Sequence, residues 1–372
     1  MKKALILLIA LITLLILEFP AFGEDGYGDI YKYSGADKIK DLLDGSVRDF
    51  FDSENIDVTD TGWTDNLKTE SVIRHIAGFL GSGAKTPVKC GLMIASVILI
   101  AAAVNVYRGS NATDTAMKFA LTLSVTGILL YSMWGSITAA VNVLKSTGTF
   151  MMSFVPVYMS ILSVSGAPAT AAASGGMMLF AAEFVSAAAA FGQSAVIGAY
   201  LALCIGSAAS PLQGGLGLAE AFKRVGVWFL SLCSTVFLGI LGAKNAVNSA
   251  ADSVSVKTAR FILGTCVPVA GNALSGAVNT VSASLSVLKS SVGIYGVLAL
   301  AVMLIPVICE LLTWRLVLVV LGGVCEIFSM PGTSKLLKAF DGVFALLTGA
   351  VLLVGLTFII SLAVTVGAVR GS

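Results

Sequence analysis

Two hydrophobic patterns divide the chain. From Ile39 to Phe51, apolar residues recur at spacings of three and four (Ile39, Leu42, Leu43, Val47, Phe50, Phe51), the period of one helix face, over about Ala36 to Phe51. A second amphipathic stretch, Leu67 to Leu80, gathers Val72, Ile73, Ile76, Phe79 and Leu80, and the polar, turn-rich segment Asp52 to Asn66 separates the two. From Cys90 onward the periodicity gives way to long uncharged runs: Cys90 to Tyr107, Phe119 to Leu144, Val225 to Ala243, Ser290 to Cys309 and Gly342 to Val369. Each is comparable with the roughly 20 apolar residues a helix needs to cross a hydrocarbon core of about 30 Å. The pattern predicts an all-α polytopic membrane protein with about seven spanning helices plus two proline-broken segments. A small helical extracytoplasmic domain precedes them.

The first residues follow a different rule. Met1-Lys2-Lys3, the apolar run Ala4 to Leu17 and the small residues of Ala21-Phe22-Gly23 have the three-part form of a secretory signal peptide cleaved after Gly23. The alternative, a retained anchor, has only fourteen apolar residues, which is short for a span. The chain thus divides into a signal peptide (1–23), an acidic extracytoplasmic helical domain (24–86) and a multi-pass membrane domain (87–372). About 60 residues with two short helices bury little core by themselves, so the acidic head is expected to dock on the membrane domain or on a partner.

An internal duplication is suggested by FMMSFVPV at Phe150 to Val157 and FILGTCVPV at Phe261 to Val269. Each follows an Ala-Val-Asn, at Ala140 and Ala246, and precedes a Gly/Ala/Ser-rich apolar region. Ala221-Phe222-Lys223-Arg224 and Ala339-Phe340-Asp341-Gly342 then open further apolar helices, giving repeat-like units of about 114–219 and 220–335 and a final helix at 336–369. Proline lacks an N–H and clashes with the preceding turn, so Pro156 and Pro268 are expected to break or kink their helices. Broken helices at matching places in two repeats point to a transport path, though a kinked packing helix is the plainer reading.

Composition and charge then narrow the chemistry. Of 372 residues 57% are hydrophobic and 12% charged, against about 25% charged in soluble domains. Residues 24–86 carry a net charge of −6 and residues 87–372 a net charge of +7, an acidic head before a body with its Lys and Arg at helix ends. The six cysteines have no C-x-x-C spacing and sit in apolar surroundings, so they read as small buried hydrophobes. A single histidine, His75, supplies neither a hydrolase triad nor a zinc site, and no G-x-x-x-x-G-K-[ST] loop occurs. An enzyme, a cofactor, a metal site and nucleic-acid binding are therefore not expected.

Candidate functional positions are accordingly few. Glu183 is an acid within an apolar region and is expected to face a partner or water. With Pro156, Pro268, Asn272 and Asn279 it makes the set of candidate pore or structural-break positions. Glu310 and Arg315 flank Leu311-Leu312-Thr313-Trp314, read as a short turn, and with Trp314 form a candidate interface at the membrane boundary.

The signal peptide, the acidic head, FMMSFVPVYMSILSVSGAPATAAA at Phe150 to Ala173 and CVPVAGNALSGAVNTVSASLSVLKSSVGIYGV at Cys266 to Val297 resemble the stage III sporulation protein AE family of endospore-forming bacteria. The likeness extends through Trp314-Arg315-Leu316 and Lys335 to Gly342. Family members often carry Asp where this chain has Gly276 and Asn279, so no essential acid is carried over to those positions. The resemblance implies a channel or secretion apparatus linking mother cell and forespore after engulfment, needed for late forespore development. It implies placement in the cell membrane, specifically the mother-cell-derived outer forespore membrane. The partners it implies are other stage III A proteins, among them a cytoplasmic ATPase, and a forespore protein that completes the channel. A homo-oligomer is compatible with it. Two other classes stay open: a self-sufficient secondary transporter with a site between the repeats, and an assembly scaffold.

Overall fold

The computed structural model describes residues 39–57 except 42 and 44, residue 63, and residues 69–107, 113–164, 193–208, 217–233, 235 and 271–370, with short pieces of 171–179. The described residues are helical, without strands. The helices are α1 (Gly45–Ser53), α2 (Thr69–Tyr107), α3 (Thr113–Val164), α4 (Gln193–Ala208), α5 (217–233), α6 (Gly271–Ile327) and α7 (Pro331–Arg370).

Four of these are long and apolar enough to cross a membrane, with spans at Gly83–Val104, Ala120–Ser163, Ser291–Ile327 and Pro331–Ile359. A shorter apolar helix covers Ala195–Gly206. Among the described residues there are thus four spans where about seven were expected, with most of 165–192 and all of 234–270 but residue 235 outside the described residues. At 1.5 Å per residue a straight α6 of 57 residues is about 85 Å long, nearly three times the hydrocarbon thickness. The sequence reading cut uncharged runs into bilayer-sized pieces, whereas α3 and α6 continue through them.

Proline does not interrupt these helices. Pro87, Pro156 and Pro306 all lie inside continuous helix. The expected break at Pro156 is therefore absent. The lost N–H leaves the carbonyl of Met152 without its helical donor, and both Pro156 and Met152 lie on the exposed side of α3, where that loss disturbs no packing. Pro268 and Glu183 lie outside the described residues, as do residues 1–38. Asn272 and Asn279 fall in the first turns of α6. The boundary suggested at 86/87 falls inside α2, and those at 219/220 and 335/336 fall inside α5 and α7.

Glycines record how closely the helices approach, because a Cβ would collide where two backbones meet. Gly83 of α2 lies against the backbone of Glu310, and Gly91 against Val317, so α2 and α6 run parallel. Phe154 of α3 covers Gly296 of α6, while Ser136 bonds Glu310, so α3 runs antiparallel to both. Leu304 covers Gly355 and Trp314 stacks on Phe344, which sets α7 antiparallel to α6. Tyr200 of α4 and Lys223 of α5 meet at Gly342, and Val196 and Leu346 flank Gly226. Chain order therefore yields three helical hairpins, α2/α3, α4/α5 and α6/α7, all pointing the same way. This periodicity differs from the duplication that the two Val-Pro-Val segments suggest, whose boundaries cut through hairpins.

The α6/α7 turn is tight. Met330 N–H reaches Cys325 C=O at 2.9 Å and Ser329 takes φ 54°, the left-handed C′ position of a helix end, with Pro331 then opening α7. A Ser there bears a steric cost that Gly avoids.

The acidic head docks on the opposite end of the bundle. Phe51 meets Tyr295 of α6 edge-on at 4.7 Å, Trp63 lies 6.3 Å from the same ring, and Trp63 Nε1 donates to Ser291 Oγ at 3.1 Å. Of the predicted stripe, Ile39, Leu43, Val47, Phe50 and Phe51 are buried and Leu42 lies outside the described residues, although the helix carrying the last three begins only at Gly45. Asn55, with φ 52°, ends α1 through Ile56 N–H to Phe51 C=O at 2.8 Å.

Three outcomes follow from the packing and from the turn. Gly296→Ala puts a methyl into the Phe154 ring, which is itself fully buried and stacked on Phe150 and Tyr158, so thermal unfolding in detergent should show a loss of about 1–3 kcal/mol. Gly322→Ala, where a Cβ meets nothing within 4 Å, should not destabilise. Ser329→Gly should raise the melting temperature, with a gain of about 1 kcal/mol.

Candidate functional site

The residues that bind the hairpins together chemically cluster at one level of the bundle. Glu310 and Trp314 are four apart and so share one face of α6, toward α3. Trp314 Nε1 donates to Ser136 Oγ at 2.8 Å, and the Ser136 hydroxyl donates in turn to Glu310 Oε1. The indole is fully buried and stacks on Phe344 of α7 at 5.4 Å, with the planes 9° apart. One hydroxyl thus joins an indole and a carboxylate across α3 and α6, which satisfies the polar tip that a buried Trp carries into an apolar bundle.

Arg315 follows Trp314 by one position, so it points around the helix toward α7. Its Nε donates to Asp341 Oδ1 at 2.8 Å, and the two side chains are only 23% and 20% exposed. A charge-assisted bond in a half-buried setting is stronger than a surface ion pair. Beside it, the Tyr200 hydroxyl and the Lys223 ammonium close over Gly342, so all three hairpins contribute polar groups at this level. Toward the α6/α7 turn, Lys338 Nζ bonds Glu326 Oε1 at 2.5 Å and Ser334 Oγ donates to the same oxygen at 3.1 Å.

The three expected interface residues, Glu310, Trp314 and Arg315, are brought together, but not as a surface turn. Leu311 to Trp314 is helical, and Trp314 is interior. Ser136 and Asp341 were missed. Asp341 carried the same signal that singled out Glu183, an acid within an apolar run, but lay where a helix was expected to begin. Ser136 carries no signal that sequence alone can read. Among the described residues no three His, Cys, Asp or Glu side chains come together as metal ligands. Ser136 bridges Trp314 and Glu310, and Arg315 pairs with Asp341, so the cluster ties α6 to α3 and α7.

A bundle of long apolar helices, fastened by buried polar links and capped by an acidic head, is a membrane-type helical protein. The family model described as stage III sporulation protein AE matches residues 63–369, and the chain belongs to that family. A relative described as stage III sporulation protein AE, from Bacillus subtilis (strain 168), is 24% identical over 196 residues, 52% of this chain. The match spans 48% of that relative's length, about half. No solved structure matches the chain. The family places the protein in sporulation.

Removing either partner of the half-buried ion pair should cost more than removing both would suggest. Arg315→Ala and Asp341→Ala, alone and combined, should show a coupling energy of about 0.5–3 kcal/mol in detergent unfolding. Additive effects would mean the pair contributes nothing beyond its single side chains.

Proposed function

We propose that this chain is a membrane component of the channel or secretion apparatus that connects mother cell and forespore, required for late forespore development. The observation that carries the reading is the family match across residues 63–369, which takes in every long helix of the bundle. Helices α3 and α6, at about 78 and 85 Å if straight, are longer than a bilayer demands, as suits a part that reaches into a larger assembly. In this reading the chain sits in the mother-cell-derived outer forespore membrane and has no catalytic role. Its partners are other stage III A proteins, including a cytoplasmic ATPase that supplies energy, and a forespore protein that completes the passage.

A self-sufficient secondary transporter has less support. That reading placed its site between two repeats marked by matching proline segments, and α3 is continuous helix through the first of them, Pro156.

Deleting the gene should halt sporulation after engulfment and reduce heat-resistant spores to near background, with rescue by the intact gene. Normal numbers of heat-resistant spores from the deletion strain would contradict the proposal.

A further inference from the structure

Helices α5 and α7 leave a groove between them. It has a volume of about 550 Å³ and runs between Val227, Leu230 and Thr235 on the α5 side and Ala345, Gly349 and Leu353 on α7, with Lys223 at one end. Its origin lies in side-chain size. Ala345, Gly349 and Leu353 stand four apart and so form one ridge of α7, whose first two members offer a methyl group and a hydrogen. Among the described residues, a Cβ on Gly349 would meet only the tip of Leu230, at 3.7 Å. At Gly226, by contrast, Val196 and Leu346 stand 3.1 and 3.2 Å from the equivalent position, so the helices pack tightly there and loosely along the groove.

The groove is polar at one end only. Ser231 and Thr235 donate their hydroxyls back to their own helix, to Val227 C=O and Ser231 C=O at 2.9 Å each, so they make no polar demand on whatever fills it. At the other end Lys223 Nζ lies 3.3 Å from the position of a Cβ on Gly342, and the exposed Arg224 follows. Asp341 is engaged by Arg315, and among the described residues neither Lys223 nor Arg224 forms an ion pair.

Charge along the chain sets the depth. Glu220, Lys223 and Arg224 are followed by no charged residue until Lys244, and Lys335, Lys338 and Asp341 by none until Arg370. The approach of Lys223 to Gly342 puts both changes at one level, as where two helices pass from a polar boundary into hydrocarbon. From Lys223 to Thr235 the groove then descends about 18 Å at 1.5 Å per residue, close to the roughly 15 Å depth of one leaflet. Spread over that length, its volume is a cross-section of about 30 Å², far less than the roughly 80 Å² of a helix some 10 Å across. An extended peptide would leave its N–H and C=O groups without partners on these walls.

We propose that this groove binds a phospholipid with an anionic headgroup, its phosphate on Lys223 and Arg224 and an acyl chain along Ala345, Gly349 and Leu353. Both ends of the ligand find their chemistry. An apolar trough of one leaflet's depth accepts a hydrocarbon chain, and basic groups at its mouth that no carboxylate occupies accept a phosphate.

The test uses full-length protein purified in detergent, with retained lipid read by native mass spectrometry. Offered equal amounts of phosphatidylglycerol and phosphatidylcholine with the same chains, the protein should retain phosphatidylglycerol in preference. Lys223→Gln should lower that preference about fivefold while phosphatidylcholine is still held. Gly349→Phe, which fills the groove, should abolish retention of either lipid, and Ala345→Phe should do the same from a second position if the first variant misfolds. Gly349→Ala adds a methyl group where there is room and should retain lipid as the unaltered protein does. Equal retention of the two lipids by the unaltered protein, displacement of phosphatidylglycerol by inorganic phosphate at equal concentration, or undiminished retention in a folded phenylalanine variant would each overturn the proposal. Lipid retention is independent of what the assembly conveys, so this binding and the deletion phenotype can each fail while the other holds.

Discussion

A helix buried on every side has no face to give to lipid or to water, and this is the condition of α6 from Ser291 to Ile305, where every residue is buried. Such a helix is stable only if other elements surround it completely. The surround is provided by α7 and α2, by α3, and at its head end by α1 and Trp63. Small residues make the enclosure close, because α2, α3 and α7 all approach their neighbours at glycines. In a membrane-type bundle, where lipid tails are as apolar as the side chains, that closeness and the dispersion contacts it allows are the main source of association.

The acidic head follows from the same constraint. Two short amphipathic stretches cannot sustain a core, so their apolar stripe has to be buried on something larger. Phe51 and Trp63 converge on Tyr295 where α6 enters the bundle, and the Trp63 indole satisfies its N–H on Ser291. The head thus completes the enclosure of α6. At the other end the polar fasteners, Ser136 with Glu310 and Trp314, and Arg315 with Asp341, fix the rotational setting of α6 against α3 and α7. Apolar packing alone leaves that setting weakly specified.

Much of this was legible in the sequence and some could not be. The helical class, the apolar spans, the docking of the head and the three residues at Glu310, Trp314 and Arg315 were readable from period, charge and isolated ionisable groups. The lengths of α3 and α6 were not, because uncharged runs were divided at the thickness of a bilayer and at prolines. Pro156 shows why that rule fails: a proline on the outer side of a long helix loses one hydrogen bond and disturbs no packing, so the helix continues. Ser136 was invisible because one serine among many acquires meaning only when Trp314 and Glu310 converge on it. Asp341 is not singled out by the sequence because it falls in the first turns of the helix expected at 336–369, where a charged residue is ordinary; the helix starts at Pro331, so Asp341 lies in its third turn.

Three hairpins point away from the head, with α6 enclosed by α2, α3 and α7 and the α4/α5 hairpin packed on α7. Sided labelling of single cysteines in oriented membranes tests this arrangement directly, using Asp57→Cys on the head, Glu220→Cys near the α4/α5 turn and Ser329→Cys in the α6/α7 turn. The arrangement requires Glu220→Cys and Ser329→Cys to react from one side and Asp57→Cys from the other. Reaction of Ser329→Cys from the same side as Asp57→Cys, or of the two turn positions from opposite sides, would contradict it.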